Sequence, residues 1–214
     1  MARPLESSSS VPDSGMRSEH FSMIRSFQAA DFLTLANGGC GLLAIFLTLN
    51  FADSADRSDL YWAYMLVLLA LMFDVADGRV ARARREHSAF GRELDSLADI
   101  ISFGAAPAAI GYAAGLNTWP DTVMLVFFAL CGLSRLARYN ISAQHAAPNS
   151  GAVDYFEGTP IPTSIIPLGI LIAGVALETL WPVEIGNVKF HLLAVPFVLF
   201  GCLMVSRTLK VPKL

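Results

Sequence analysis

The chain has 214 residues, of which 54% are hydrophobic and only 15% are charged, and its formal net charge is −3. Its mean hydropathy of +0.53 is too high for an ordinary soluble domain, so the composition predicts an integral membrane protein. No nucleic-acid partner is expected.

The N-terminal region precedes the first long apolar stretch. Residues 1–18 are rich in Ser and Pro and contain no apolar segment, which predicts a disordered tail and not a cleaved signal peptide. Within residues 19–30, Met23, Ile24 and Phe27 share one face of a helix, which favours a short amphipathic helix on the membrane surface. An ordinary connector explains this pattern equally well.

Six apolar stretches of the remaining chain are each long enough to cross a bilayer as a helix, which takes about 20 residues. They predict an all-α, polytopic membrane domain over residues 31–214, surrounded by membrane lipid. The six predicted spans are 31–51, 59–82, 91–116, 120–142, 160–181 and 189–209.

The basic residues indicate how these six predicted spans are oriented. Of the 15 Lys and Arg residues, only Arg57 and Lys189 fall in the first and fifth connections. The others lie in the N-terminal region, in the second and fourth connections and at the C-terminus. Because cytoplasmic loops carry the excess of Lys and Arg, this alternation predicts a cell-membrane protein with both termini in the cytoplasm.

Four aspartates lie where the second and third predicted spans meet. Asp74 and Asp77 are three residues apart, and Asp95 and Asp99 are four apart, so each pair lies on one helix face. Two antiparallel helices joined by a short polar turn bring the two faces together near the cytoplasmic side. An Asp near the centre of a membrane helix costs roughly 2.5 to 3.5 kcal/mol, so compensating positive charge is expected.

The types of residue at this meeting point indicate metal and phosphate chemistry. Carboxylates without nearby His or Cys are hard oxygen ligands, which favour Mg²⁺ or Mn²⁺. Four of them are enough for two ions that share bridging oxygens, as in phosphoryl transfer. The small residues Gly78, Ala81 and Gly91 allow a diphosphate and its nucleotide to approach the helix backbone. Arg82 is placed to donate to phosphate oxygens.

The complete pattern from Asp74 to Asp99 is DxxDGxxAR, eight residues, then GxxxDxxxD. It resembles the signature of the CDP-alcohol phosphotransferases, and on it the chain is identified as a member of that family. A solvated acidic loop is the alternative explanation, but these aspartates interrupt apolar runs instead of clustering in the Arg-rich turn.

Asn37 and the spacing of Gly111 and Gly115 are also interpreted in the light of this family. Asn37 ends a T-L-x-N stretch similar to one that precedes the signature in the family, and its amide is suited to a cytosine edge or a ribose. A hydrogen bond between helices is nearly as good an explanation. The resemblance also implies a homodimer. Gly111 and Gly115 have the small-xxx-small spacing that packs helices closely, within one chain or between two.

Later segments resemble the phosphatidylserine synthase branch of the family, namely DSLADIISFGAAPA, RLARYN and FEGTPIP. The branch implies CDP-diacylglycerol as donor and L-serine as acceptor. Arg135 and Arg138 share a helix face and are suited to the carboxylate of serine, and we assign Asn140 of the same segment to this site. A cytoplasmic anchor also explains the arginines. Glycerol 3-phosphate or an inositol phosphate would use them too.

These assignments predict a mechanism. Asp74, Asp77, Asp95 and Asp99 hold two metal ions, and Asp99 also takes the proton of the serine hydroxyl as it attacks phosphorus and releases CMP. A divalent-cation transporter is the alternative from another class, because intramembrane aspartates often mark ion paths. A transporter would more naturally spread its acids across the membrane midplane on broken helices, whereas these four cluster at one face.

Overall fold

The computed structural model describes residues 29–84, 89–145, 155–186, 188–206 and 210–212. The predicted N-terminal tail lies outside the described residues. Of the predicted surface helix over residues 19–30, only the last two residues are described, and they belong to the first long helix.

Two long helices form an antiparallel hairpin at the start of the described chain. Helix α1 spans Ala29–Ser54 and α2 spans Arg57–Arg84. Between them Ala55 has a positive φ of 57°, which reverses the chain within two residues. Asp56 then accepts a hydrogen bond from the backbone N–H of Ser58 at 3.0 Å, which caps α2 and lowers the pKa of Asp56.

The next helical segment is interrupted by a short stretch of π-helix. Helix α3 spans Ala89–Asp99, a π-helical turn covers Ile100–Ala105, and α4 covers Ala106–Ala113. Pro107 lies in the first turn of α4, where its missing N–H is tolerated. Helix α5 then spans Trp119–His145. The π-helical turn begins immediately after the last aspartate of the signature.

The last part of the chain contains shorter elements. A 3₁₀ turn at Ile161–Ser164 leads into α6 (Ile165–Ala176), and another at Leu192–Ala194 leads into α7 (Val195–Val205). Between these helices, strands β2 (Pro182–Ile185) and β3 (Val188–His191) form a hairpin. Strand β1 (Tyr155–Glu157) pairs antiparallel with β4 (Lys210–Pro212).

Within the described part of the chain, four helices are long and apolar enough to cross a membrane, and they agree with the first four predicted spans. The two remaining apolar helices, Ile161–Ala176 and Leu192–Val205, are shorter than the stretches predicted from sequence. The fifth predicted span was too long because its apolar run continues through Leu180 and Trp181 toward the hairpin, and the sixth because its first residues, from Lys189 to His191, belong to strand β3. The four long candidate spans are Ala30–Ser54, Arg57–Val80, Phe90–Ala113 and Trp119–Ser142.

The core lies between the helices, while the outer surface remains apolar. Leu60 and Val67 of α2 are fully buried, and the rings of Phe128 and Phe197 meet edge to face with centroids 5.3 Å apart. Large side chains such as Trp62 point outward and are exposed. Exposed apolar side chains on long helices are what a lipid-facing surface requires.

Candidate active site

Three carboxylates converge between α2 and α3. Asp74, Asp95 and Asp99 can each place one oxygen so that all three oxygens lie within 4.8 Å of one another. We call these three residues the carboxylate cluster. Asp74 lies near the end of the span Arg57–Val80 and the other two near the start of the span Phe90–Ala113, so the cluster lies toward one end of the bundle.

The fourth aspartate of the signature is held beside this cluster. Asp77 is only 6% exposed, and its Oδ2 accepts a hydrogen bond from the hydroxyl of Thr34 at 2.8 Å. Its carboxylate is close enough to repel those of Asp74 and Asp95. The structure therefore brings three of the four predicted ligands together and holds the fourth next to them. The role of Thr34 is not evident from sequence, since its partner is 43 residues away.

Asp99 is tied to the first helix. The Asn37 side-chain amide donates to Asp99 Oδ1 at 3.0 Å, and both residues are buried. Asn37 therefore makes the interhelical hydrogen bond that the sequence left open as one of two roles. Its Oδ1 has no hydrogen-bond partner among the described residues, so an acceptor atom is still available beside the carboxylate cluster.

The chemistry of the cluster fits divalent cations. Asp95 Oδ1 is buried and has no hydrogen-bond partner in the described part of the chain. Several mutually repelling carboxylates at a part-buried site are costly unless positive charge compensates them. Oxygen ligands of this kind match Mg²⁺ or Mn²⁺. The donor set and the unpartnered oxygen thus suit the predicted metal.

Arg135 of α5 supplies positive charge near the cluster. Its guanidinium is partly buried and attracts the carboxylates of Asp74, Asp95 and Asp99. The guanidinium carbon also lies 5.7 Å from the ring centroid of Tyr139, within the range of a cation–π contact. The first of the two predicted arginines therefore faces the site.

Arg138 points to a different neighbour. Its Nη1 donates to the carbonyl oxygen of Val205 at 3.4 Å. Val205 is the last residue of α7, where backbone carbonyls lack partners within the helix. The backbone N–H of Thr159 donates to the nearby Leu203 carbonyl at 3.3 Å. Arg138 thus helps to cap α7, although it lies only one helical turn from Arg135.

Asn140 is buried between α5 and α3. It accepts a hydrogen bond from the Ser96 hydroxyl at 3.2 Å and donates to Glu93 Oε2 at 3.0 Å. Both partners flank Asp95 in the sequence, so Asn140 ties α5 to the helix that carries two members of the carboxylate cluster. These contacts occupy both ends of the Asn140 amide.

The residues predicted to bind the nucleotide line the same ends of α2 and α3. A Cβ atom added at Gly78 would meet nothing within 4 Å, so open space lies above this part of the helix. Arg82 is exposed one turn further along, and Gly91 is half-buried in the first turn of α3. The side chain of Ala81 lies outside the described atoms.

Comparison with known proteins agrees with this geometry. Residues 27–204 match the family model described as CDP-alcohol phosphatidyltransferase. The chain is 40% identical over 207 residues to the CDP-diacylglycerol–serine O-phosphatidyltransferase of Saccharomyces cerevisiae, which covers 91% of this chain and 74% of that protein. It is 35% identical over 141 residues to the protein of the same name from Bacillus subtilis, covering 65% of this chain and 72% of the relative.

A third relative is the archaetidylserine synthase of Methanothermobacter thermautotrophicus, which is 36% identical over 141 residues. That match covers 64% of this chain and 54% of the relative, so the chain spans about half the length of the archaeal protein. The family model extends from just before α1 to the last turn of α7 and includes the four aspartates of the signature, Asn37, Arg135, Arg138 and Asn140. The chain therefore belongs to the CDP-alcohol phosphatidyltransferase family.

Proposed function

We propose that this chain transfers the phosphatidyl group of CDP-diacylglycerol to the hydroxyl of L-serine, giving phosphatidylserine and CMP. The observation that carries the proposal is the convergence of Asp74 of α2 with Asp95 and Asp99 of α3, whose ligand oxygens lie within 4.8 Å of one another. The names of the three relatives described above all specify serine, which supports this acceptor. Family membership supports a transferase over the cation transporter.

In this proposal Asp74, Asp77, Asp95 and Asp99 hold two divalent cations, either Mg²⁺ or Mn²⁺. When bound, these ions supply positive charge to the diphosphate of the donor and to the departing CMP. Asp77 contributes from its position against Thr34, whose hydroxyl holds one of its two oxygens and fixes the direction of the other.

Asp99 acts as the general base. A serine hydroxyl is too weak an acid to ionise unaided at neutral pH, so a carboxylate within hydrogen-bond reach must accept its proton as the attack proceeds. The serine oxygen forms a bond to the phosphorus that carries the diacylglycerol group. The bond from this phosphorus to the bridging oxygen breaks, and CMP leaves with that oxygen. Asn37 holds Asp99 Oδ1, which leaves Oδ2 to take the proton.

The donor nucleotide lies along α2 and the start of α3. Gly78 has open space where a side chain would stand, which allows the diphosphate to approach the backbone. Ala81 and Gly91 keep the adjacent positions small, and the exposed Arg82 donates to phosphate oxygens. The unpartnered Oδ1 of Asn37 accepts a hydrogen bond from the nucleotide.

Arg135 binds the carboxylate of serine, because a guanidinium matches a carboxylate with two parallel hydrogen bonds. It also lies near the carboxylate cluster, where the serine hydroxyl must react. Arg138 and Asn140 complete this part of the site by holding α5 against α7 and α3. The same arginine would also attract the phosphate of glycerol 3-phosphate or of an inositol phosphate. Charge alone does not separate these acceptors, so the experiment must compare them.

The test offers serine, glycerol 3-phosphate and inositol phosphate separately to the purified protein with CDP-diacylglycerol and Mn²⁺, and measures CMP release. We expect CMP release that depends on serine. A D53N variant serves as control, because Asp53 is an exposed aspartate at the other end of the hairpin. CMP release with a phosphorylated acceptor and none with serine would overturn the choice of serine.

We also propose how the chain sits in the membrane. The shorter helices α6 and α7 add a fifth and a sixth crossing, which places both termini and the carboxylate cluster at the cytoplasmic side of the cell membrane. The chain functions as a homodimer. Gly111 does not supply that interface, since a Cβ atom added there would lie 3.0 Å from Leu125 of the same chain, and Gly115 packs against Leu180.

A further inference from the structure

Helix α1 approaches the π-helical turn unusually closely. A Cβ atom added at Gly41 would lie 2.5 Å from the Ser102 hydroxyl oxygen and 2.7 Å from the Ser102 Cα. One turn earlier, a Cβ atom added at Gly38 would lie 3.3 Å from the Cβ of Ala98. The backbone of α1 therefore touches the chain on both sides of Asp99, and only glycine fits at residue 41 without displacing the π-helical turn.

A hydrogen-bonded path runs through this contact to the carboxylate cluster. The hydroxyl of Ser102 donates to the backbone carbonyl of Asn37 at 2.9 Å. The side chain of the same Asn37 donates to Asp99 Oδ1 at 3.0 Å. Ser102 and Asn37 are completely buried, so water does not compete for either bond. One residue of α1 is thus hydrogen-bonded to residues 99 and 102, on either side of the start of the π-helical turn.

The helix that faces α1 changes its hydrogen-bonding pattern at the same place. The π-helical turn starts at Ile100, the residue after Asp99, and Ser102 lies inside it. Turns of this kind are rare, and they frequently occur at functional sites because they shift the side chains that follow. Here the turn is held in place by the bond from Ser102 and by the absence of a side chain at Gly41.

We propose that Gly41 and Ser102 are positioning residues for Asp99, acting through Asn37. Gly41 sets the distance between the two backbones, Ser102 fixes the main chain of Asn37, and the Asn37 amide then sets the rotation of the Asp99 carboxylate. One carboxylate oxygen is occupied by the amide, and the other is directed toward the carboxylate cluster. This inference rests on the proposed function, in which Asp99 is a metal ligand and the general base.

The experiment compares G41A and S102A with two matched controls. G39A makes the same change on the same helix, where an added Cβ atom has nothing within 4 Å. S164A removes the hydroxyl of another completely buried serine, whose oxygen has no hydrogen-bond partner among the described residues. For each purified variant we measure the Mn²⁺ affinity without substrate, from the electron paramagnetic resonance of free Mn²⁺, and then kcat and KM for serine.

G41A and S102A should each weaken Mn²⁺ binding by about tenfold, the usual effect of losing a group that orients a metal ligand. They should lower kcat by about tenfold to a hundredfold while KM for serine stays unchanged, because misplacing a reacting group slows the chemical step. G39A and S164A should match the parent protein in all three quantities. S102A removes a single oxygen atom, so it tests the inference even if G41A does not fold.

The inference is overturned if G41A and S102A bind Mn²⁺ and turn over as the controls do, or if they lower only the melting temperature. Failure of the proposed function appears separately. If the parent protein releases CMP with a phosphorylated acceptor and not with serine, the choice of serine fails, while the Mn²⁺ affinities still decide whether Gly41 and Ser102 position Asp99.

Discussion

The carboxylate of Asp99 is held more firmly than the other members of the carboxylate cluster. It is 6% exposed and accepts the amide of Asn37, whereas Asp74 and Asp95 are half-buried. A base must keep one oxygen directed at the proton that it removes, and a neighbouring donor that occupies the second oxygen produces that orientation. At the scale of single residues, this fixed orientation fits the base role proposed for Asp99.

The substitution D99N separates this role from metal binding. An asparagine keeps a carbonyl oxygen for the Asn37 amide, and three aspartates of the signature remain for the cations. We expect D99N to retain CDP-diacylglycerol binding and to weaken Mn²⁺ binding by no more than about tenfold, but to lower serine-dependent CMP release by roughly 10²- to 10⁴-fold, the usual contribution of a general base. Binding is measured by thermal shift and turnover by CMP release. Turnover close to that of D53N would remove Asp99 from the base role.

Individual helices and hairpins are joined at buried polar contacts. At the start of α5 the Thr118 hydroxyl donates to Asp121 Oδ2 at 2.6 Å, and the Asp121 backbone N–H faces that hydroxyl at 3.5 Å. The completely buried Asp121 also accepts the backbone N–H of His191 at 2.8 Å and meets its ring at 2.7 Å. The carboxylate of Asp121 thus caps the first turn of α5 and anchors the β2–β3 hairpin. It lies at the opposite end of α5 from Arg135.

Replacing this carboxylate should destabilise the protein. We expect D121A to lower the free energy of unfolding by about 1–3 kcal/mol, because it leaves buried donors unpaired. The control E184A acts on the same hairpin but breaks only an exposed ion pair with Lys189, whose charged atoms lie 3.4 Å apart, so its effect should stay within about 1 kcal/mol. Both are measured by chemical unfolding in micelles. Equal effects would contradict the anchoring role of Asp121.

At the scale of the whole molecule, the candidate site joins four helices of the bundle. The carboxylate cluster lies on α2 and α3, Asn37 comes from α1, and Arg135 comes from α5. Four like charges close together oppose this assembly until cations neutralise them, since like charges repel strongly where water is scarce. The stability of the bundle should therefore depend on bound metal.

The donor nucleotide should stabilise the bundle only together with the metal. We expect CDP-diacylglycerol to raise the melting temperature in Mg²⁺ or Mn²⁺ but not in EDTA, with a gain of about 2.7 kcal/mol at a hundredfold excess over Kd. The measurement is thermal unfolding of the purified protein, with CMP alone and phosphatidylcholine alone as control ligands. If CDP-diacylglycerol raised the melting temperature equally in EDTA, the donor would bind without any cation held by the aspartates.

Much of this arrangement follows from sequence because charged residues within apolar runs stand out. Asp74, Asp95 and Asp99 were predicted to converge, and the four long helices were predicted from hydropathy. The partners of individual aspartates were not predicted, because a hydroxyl such as that of Thr34 can bond to many groups until the helices are placed. For Asn37 an interhelical bond was an expected alternative, but its acceptor Asp99 was not. The π-helical turn was missed as well, since its residues, IISFGA, have no local pattern that distinguishes it from an α-helix.

The carboxylate cluster also has a consequence for biosynthesis. Its three members come from one stretch of chain between residues 74 and 99, and the π-helical turn that follows them ends at residue 105. Contacts that are close in sequence form quickly, because little loop entropy opposes them. A ribosome therefore finishes the three carboxylates of the cluster in the first half of translation, before it has made Arg135, so this guanidinium reaches the carboxylates only after they have come together.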